Sequence, residues 1–491
     1  MTGGLPAGWA EVALSDVCRP VSQRGPSVAE TEFRYIDLGA IDNKTKRVVN
    51  PSSLATAAAP SRAKQVVAAG DVLFSTVRVY LENIALIPRE LDSAIASTAF
   101  TVLRPTPAVE PGYLYRWVTS KPFIQAVNAL QRGNSPPSVQ DGDVRSQRLP
   151  LPPLREQQRI VSRIEELFSE IDEGERALEH VGRLVERYRQ SVLKAAVTGE
   201  LTAKARLAGE FEGESGADVL ERALIRRAHL VAHQLSRGAP VEPDVTGVPA
   251  LPAGWVWASV DQLCGQFGNG LSRKPAHEPP GTPILRISAV RPLAVDAWDV
   301  RYYTEEEGER LDGYFVENGD LLFTRYNGSR ELVGVSGVYR GNSPVLHPDK
   351  LIKARVISSG LVLPDYLEIA LNAGESWKFL TSCVKTSAGQ HGIAGADIKR
   401  APVPLPPFNE QREIVALWRQ FESQVGALKS SVPTEARRGQ ALRQSILKAA
   451  FSGQLVPQDP RDEPASALLA RLAAQPADAP APKRRGRKVP A

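Results

Sequence analysis

The sequence predicts an α+β chain with a pseudo-twofold internal repeat. Two similar mixed α/β globular domains are separated by two long helices that pair as an antiparallel coiled coil. Three observations predict this. Residues 150–161 begin Pro150-Leu151-Pro152-Pro153-Leu154-Arg155-Glu156-Gln157, and residues 404–415 begin Pro404-Leu405-Pro406-Pro407-Phe408-Asn409-Glu410-Gln411, an offset of 254 (404 − 150). Further on, Arg189-Gln190-Ser191-Val192-Leu193-Lys194-Ala195-Ala196 returns as Arg443-Gln444-Ser445-Ile446-Leu447-Lys448-Ala449-Ala450, and 443 − 189 is again 254. Between them the apolar positions Ile160, Ile164, Leu167, Ile171, Leu178, Val181, Val185, Tyr188, Val192 and Ala195 follow an alternating four-and-three spacing, with Gly174 in the one missing step. That period, held over several heptads, marks a coiled-coil seam.

The helical segments keep one length in both copies, so they act as a ruler. The second seam runs Ile414, Trp418, Phe421, Val425, Leu428, Val432, then Leu442, Ile446 and Ala449. Pro152-Pro153 and Pro406-Pro407 stand just ahead of the helices, where a missing N–H costs little. Gly199 and Gly453 fit the C-terminal stops. A helix of about 44 residues is roughly 65 Å long. Pro433 lies inside the second helix, and a kink or break is expected there.

Length and composition set the bounds. At 491 residues with 42% hydrophobic side chains, the chain has material for more than one core. It has no apolar run long enough for a membrane span and no basic-then-apolar leader pattern. Cys18, Cys264 and Cys383 are few and scattered, which fits a reducing cytoplasm and no disulfide frame. The net charge is +5, and Lys483-Arg484-Arg485-Gly486-Arg487-Lys488 supplies five of the positive charges. The rest balances near zero, so any nucleic-acid surface must be a local patch.

In chain order, residues 1–149 form the first globular domain and 150–200 the first spacer helix. Residues 201–250 are a helical and flexible connection, helical over Ala217–Ser236 and Pro/Gly-rich from Gly238 to Pro252. Residues 251–403 form the second domain, 404–456 the second spacer helix, and 457–491 a disordered basic tail. Leu5-Pro6-Ala7-Gly8-Trp9 recurs as Leu251-Pro252-Ala253-Gly254-Trp255, and Gly70-Asp71-Val72-Leu73-Phe74 as Gly319-Asp320-Leu321-Leu322-Phe323, at offsets of 246 and 249. The offset therefore grows only inside the globular parts. Strands are expected at Phe33–Ile36, Val72–Phe74, Ile84–Ile87 and Phe100–Leu103, and again at Ile284–Ile287, Leu321–Phe323 and Leu332–Val338. Helices are expected at Pro111–Leu130 and Asp365–Leu380, with Trp117 and Trp377 turned inward.

These paired motifs resemble the specificity subunit of type I restriction–modification systems. The residues that carry the resemblance are the two Pro-Leu-Pro-Pro starts with their Glu-Gln, the two Arg-Gln-Ser-[Val/Ile]-Leu-Lys-Ala-Ala ends, the Leu-Pro-Ala-Gly-Trp openings and the Gly-Asp-[Val/Leu]-Leu-Phe strands. It covers about residues 1–456. The resemblance implies two target recognition domains, each reading one half of a bipartite site in double-stranded DNA. It also implies helices that dock methyltransferase subunits, expected to be two, and restriction–translocation subunits where the system has them. On this reading the chain is a non-catalytic cytoplasmic protein without a cofactor of its own. S-adenosylmethionine, ATP and Mg belong to its partners, and the outcome is adenine methylation of the site and restriction of unmodified DNA.

The residue patterns agree with a non-catalytic role. No Gly-x4-Gly-Lys-[Ser/Thr] phosphate loop is present. Ser135-Pro136-Pro137-Ser138 and Leu405-Pro406-Pro407-Phe408 both lack the polar first residue of an amino-methyltransferase tetrapeptide. Phe267-Gly268-Asn269-Gly270 lacks the strand–loop–helix context of a cofactor loop. His229 and His233 have metal-ligand spacing but no third ligand nearby. A helical scaffold that does not bind DNA, and a self-contained DNA-modifying enzyme, stand as the alternatives.

Direct readout needs Arg or Lys for guanine and Asn or Gln for adenine, delivered from loops. In the first domain the candidates are Arg24, Lys44, Lys46, Arg62, Lys64, Arg78, Arg132, Asn134 and Gln140. In the second they are Asn269, Arg273, Lys274, Arg325, Asn327, Arg330, Lys385, Gln390 and His391. Arg78 and Asn327 are equivalent by the 249 offset. For the seam the residues are Ile160, Ile164, Leu167, Ile171, Ile414, Trp418, Phe421 and Val425. No metal site is expected.

Overall fold

In the computed structural model, residues 4–27, 31–133, 136–233, 238–387 and 389–474 are described. Asn134 and residues 475–491, with the basic run of the tail, lie outside them. The chain divides into two compact units: Met1–Leu178 with Pro433–Ala491, and Glu179–Val432.

The two units are built from the same strands. In the first, Ala10–Ala13 pairs with Arg148–Leu151. A four-stranded sheet runs in the order Cys18–Arg19, Phe100–Pro105, Val72–Ser75, Ile84–Leu86, and a second in the order Ser52–Ala55, Glu32–Ile36, Ile95–Ser97, Ala63–Val66. In the second unit Val256–Ser259 pairs with Pro402–Leu405. Its sheets run Cys264–Asn269, Leu351–Val356, Leu321–Thr324, Ser336–Val338, and Val300–Tyr303, Thr282–Leu285, Val345–Leu346, Phe315–Val316. Each second sheet holds one parallel pair at the same place in its order. Phe267-Gly268-Asn269 lies within a strand paired to Leu351–Val356, with no helix following, so it makes no cofactor loop.

Each expected helix of the globular parts is broken in two. The first is Pro111–Val118 and Lys121–Asn128, the second Pro364–Leu371 and Gly374–Ser382. Trp117 is buried, while Trp377 is only partly so. Of the run Leu332–Val338 only Ser336–Val338 is strand, because Arg330–Leu332 turns as 3-10 helix.

The recurrent motifs are clamps. Trp9 Nε1 donates to Glu156 at 3.1 Å and Trp255 Nε1 to Glu410 at 2.8 Å, fixing each Gly-Trp opening to the start of a long helix. Gln157 accepts from Glu110 N and donates to the carbonyls of Ala108 and Pro152. Gln411 makes the same contacts with Leu363 N and the carbonyls of Leu361 and Pro406. Asp71 takes Arg104 and Asp320 takes Arg355, which explains the Asp after each glycine. Cys18 and Cys264 are buried at equivalent places, and burial pushes the Cys18 thiol up to about 12, leaving an inert core residue.

The long helices span Leu154–Thr198 and Phe408–Phe451. Inside the first unit, Ile160 and Ile164 are buried with Ile446, Leu447, Ala450 and Phe451, and Leu167 and Ile171 pack beside them. Arg443 pairs with Glu175 at 2.7 Å and with Asp172. Inside the second unit, Leu193, Ala196 and Val197 share a core with Ile414, Val415 and Trp418, with Phe421 against it, and Val425 is buried. Arg189–Glu422 at 2.7 Å and Lys429–Glu186 at 3.0 Å extend this pairing. Within each unit the helices run antiparallel.

Three expectations are corrected. The seam is not continuously buried: Val181 and Leu442 are exposed, and Tyr188 is 62% exposed although its ring meets Phe421 edge-on, while cross-helix ion pairs such as Lys429–Glu186 join the helices nearby. The second helix runs through Pro433 without a break. The loss of one backbone hydrogen bond, about 3 kcal/mol, is outweighed by a helix fastened on both flanks, at Lys429 within one unit and Arg443 within the other. The tail is not disordered from residue 457. Ala465–Ala473 forms a helix whose Ala465 and Leu468 are buried, with Leu469 and Leu472 against the first core.

That terminal helix has a counterpart in the connection between the domains. Ala465 N donates to the Gly8 carbonyl at 2.9 Å, and Gly216 N donates to the Gly254 carbonyl at 2.7 Å. The helix Gly216–Ala232 buries Val219, Ala223 and Arg227, and the Arg227 guanidinium caps the carbonyls of Asp261 and Cys264. Val241 N binds Asp261 at 3.0 Å. Among its described residues the connection is thus tied to the second domain at Gly216, Arg227 and Val241.

Candidate nucleic-acid interface

Each domain carries a small polar platform beyond the end of its Gly-Asp-x-Leu-Phe strand. In the first, Val72–Ser75 ends where Ser75 Oγ donates to Val77 O at 2.7 Å. Val77 then bridges Ser138, and Ser138 bridges Arg132. In the second, Tyr326–Asn327, Gln390–Gly392 and Lys385–Ser387 form a three-stranded sheet, with Tyr326 opposite Gly392 and Asn327 opposite His391. Ser138 and Gly392 differ by 254, and Val77 and Tyr326 by 249. The bridging partners thus correspond by sequence offset, but Arg78 and Asn327 differ in backbone: Arg78 is left-handed at the start of the turn Val79–Leu81, while Asn327 lies in the strand Tyr326–Asn327, ahead of the turn Arg330–Leu332.

On the first platform Arg78 is exposed in a left-handed turn, φ 50°, with Arg78 N bound to Pro137 O at 2.9 Å. Arg132 is exposed and paired with Asp143 at 3.1 Å, and Gln140 caps the short helix Asp141–Arg145 with its side chain exposed. Lys46 is not a free cation: its Nζ lies 2.5 Å from Glu82. Lys44 is exposed on the neighbouring turn. Arg24, Arg62 and Lys64 form a separate exposed group beside the edge strand Ala63–Val66, where Gln23 bridges Gln65.

On the second platform Lys385 and Gln390 are exposed, and His391 Nδ1 lies 2.8 Å from Thr386 Oγ1. Asn327 Oδ1 accepts from Ser329 N at 3.0 Å. Arg325 lies over the Tyr326 ring, and Arg330 reaches the Thr381 carbonyl. Arg273 stands away from the platform, over the Tyr303 ring and paired with Glu309 at 3.0 Å. Lys274 and Asn269 are exposed near it. Sequence reasoning overlooked Tyr80, 55% exposed two residues from Arg78. An aromatic in a turn beside a basic residue was the available signal.

Among the described residues no cluster of His, Cys, Asp and Glu could hold a metal, and His229 and His233 stack as neighbours on a surface helix. No helix among them is long and apolar enough to cross a membrane.

Comparison with known proteins bears on the repeated architecture. Residues 6–180 match the type I restriction modification DNA specificity domain. The EcoKI specificity subunit of Escherichia coli is 33% identical over 384 residues, covering 76% of this chain and 74% of that one. The chain belongs to the specificity subunits of type I restriction enzymes. The StySPI specificity subunit of Salmonella potsdam is 26% identical over 385 residues, covering 76% and 73%. Among solved structures, a chain from work on complex assembly and conformational transition of the type I R-M system matches with TM-score 0.66 and 29% identity, covering 92% of this specificity subunit and 100% of that chain. The HsdS subunit of Thermoanaerobacter tengcongensis matches with TM-score 0.56 and 27% identity, covering 92% and 99%. The duplicated domains and paired long helices of this subunit are therefore the family's own architecture.

Proposed function

We propose that this subunit reads a bipartite DNA site, one half with each globular domain, while its helices fix the separation and dock methyltransferase subunits. The observation that supports this is the pair of platforms at corresponding sequence offsets, each beyond its Gly-Asp-x-Leu-Phe strand and different in side chains. Phosphate contact supplies most of the affinity and carries no sequence information. Two differently furnished platforms on one scaffold are what two unlike half-sites require. The domain limits of the reading are 1–149 and 251–403, with 150–200 and 404–456 as spacers.

Catalysis is assigned to the partners: methyltransferase subunits using S-adenosylmethionine to methylate adenine, and restriction subunits using ATP and Mg where the system includes them. Methylome sequencing of cells with and without this gene tests the proposal. A bipartite methylated motif that vanishes with the gene supports it. Turnover by the purified chain free of partners, or no sequence-dependent methylation in its presence, would contradict it.

A further inference from the structure

We infer that Arg78 is a guanine-reading residue of the half-site bound by the first domain, and that Lys46 and Glu82 position it. The inference rests on the DNA-recognition reading above. The 3-10 turn Val79–Leu81 is flanked by Arg78 and Glu82, both left-handed, at φ 50° and 54°. Lys46, which grips this turn, is itself left-handed at φ 56°. An L-residue with a β-carbon is disfavoured in that region, and glycine would be cheaper. Lys46 touches Glu82, and Glu82 and Arg78 end one turn, so three such residues form a strained device that the surroundings must hold.

The surroundings do hold it. Arg78 N donates to Pro137 O at 2.9 Å, and Leu81 N returns to Arg78 O at 2.8 Å. On the far side Lys46 Nζ bonds the Glu82 carboxylate at 2.5 Å and the Glu82 and Asn43 carbonyls at 3.2 Å each. Tyr115 Oη donates to Lys46 O at 3.1 Å. Among the described residues the Arg78 guanidinium has no hydrogen-bond or ion-pair partner. A backbone fixed at both ends thus presents a free, planar, five-donor fork. A guanidinium so held matches the O6 and N7 acceptors of guanine in the major groove. At the 249 offset the second domain carries Asn327, in a strand and not a left-handed turn, so the second half-site is read differently there.

The test uses the complete methyltransferase complex. The wild-type motif is first obtained by methylome sequencing. Duplexes of that motif, substituted one base pair at a time, are then methylated in vitro by complexes carrying Arg78→Gly, Arg78→Lys, Lys46→Met or Lys46→Arg. Arg78→Gly suits the left-handed turn, so it leaves folding intact. The expected result is that Arg78→Gly and Arg78→Lys lose discrimination at one G·C pair of one half-site by about five- to 150-fold. Every other position keeps its preference. Lys46→Met should relax the same position more weakly, and Lys46→Arg should restore it. A uniform loss of activity on all duplexes that Arg78→Lys rescues would make Arg78 a phosphate contact and overturn the inference. So would an unchanged motif. Either of those outcomes leaves a bipartite wild-type motif standing, whereas a wild-type complex without any motif would sink the DNA-recognition reading itself.

Discussion

Trp9 and Glu156 are joined by one hydrogen bond at 3.1 Å that leaves the other carboxylate oxygen of Glu156 buried and unpaired among the described residues. The second copy differs. Glu410 takes the Trp255 indole on one oxygen and Thr202 and Arg206 on the other. At the 254 offset Thr202 and Arg206 become Val456 and Pro460, whose side chains can donate nothing. The repeat therefore preserved the clamp but lost half of its satisfaction in the first unit.

Opposite responses to one substitution follow. Burial raises Glu156 above the usual carboxylate range. The folded state thus holds this proton more tightly than the unfolded one, so its contribution declines as pH rises from the ordinary range, about 4.3, through the raised value. Glu156→Gln should remove that decline and raise stability over wild type at neutral pH. Glu410→Gln should lose about 1–3 kcal/mol there, because it strips Arg206 of its carboxylate. Thermal unfolding of both variants against pH checks this; equal losses would contradict it.

The terminal helix makes truncation position-dependent. Ending the chain after Val456 removes the buried Ala465 and Leu468 and should destabilise the first unit by several kcal/mol, roughly the sum of two such side chains. Ending it after Ala474 should leave stability and the recognised sequence unaltered, with affinity lowered mainly at low salt as basic charge is lost. Calorimetry and DNA binding at two salt concentrations distinguish these outcomes.

Helix substitutions should sort by burial, not by heptad position. Ile164→Ala, in the core, should cost about 2–5 kcal/mol. Leu442→Ala, which fits the same sequence period but is exposed, should cost under about 0.5 kcal/mol. Denaturant unfolding of the two variants is the measurement.

The repeat was legible because identity and spacing encode it directly, and the paired strands inherited that legibility. The clamp roles of Glu156, Gln157, Asp71 and their partners were not, since nothing local tells a buried carboxylate from a surface one. The terminal helix could have been read: Ala465, Leu468, Leu469 and Leu472 follow helical spacing. Their Ala- and Pro-rich setting masked it. The coil's exposed middle could not, because period fixes a face and not what covers it. At the platforms, the sequence marked Arg78 and Asn327 as equivalent. Only tertiary structure showed Lys46 and Arg273 occupied by Glu82 and Glu309.

The central claim is that two domains read two half-sites independently across a helical ruler. Exchanging residues 1–149 for the matching domain of a relative, and separately inserting one heptad, about 10 Å of helix, into both long helices, tests it by single-molecule methylome sequencing. The domain exchange should replace one half-site and leave the other and the spacer intact. The insertion should change only the spacer. A domain exchange that altered both half-sites, or an insertion that altered the bases recognised, would contradict the account.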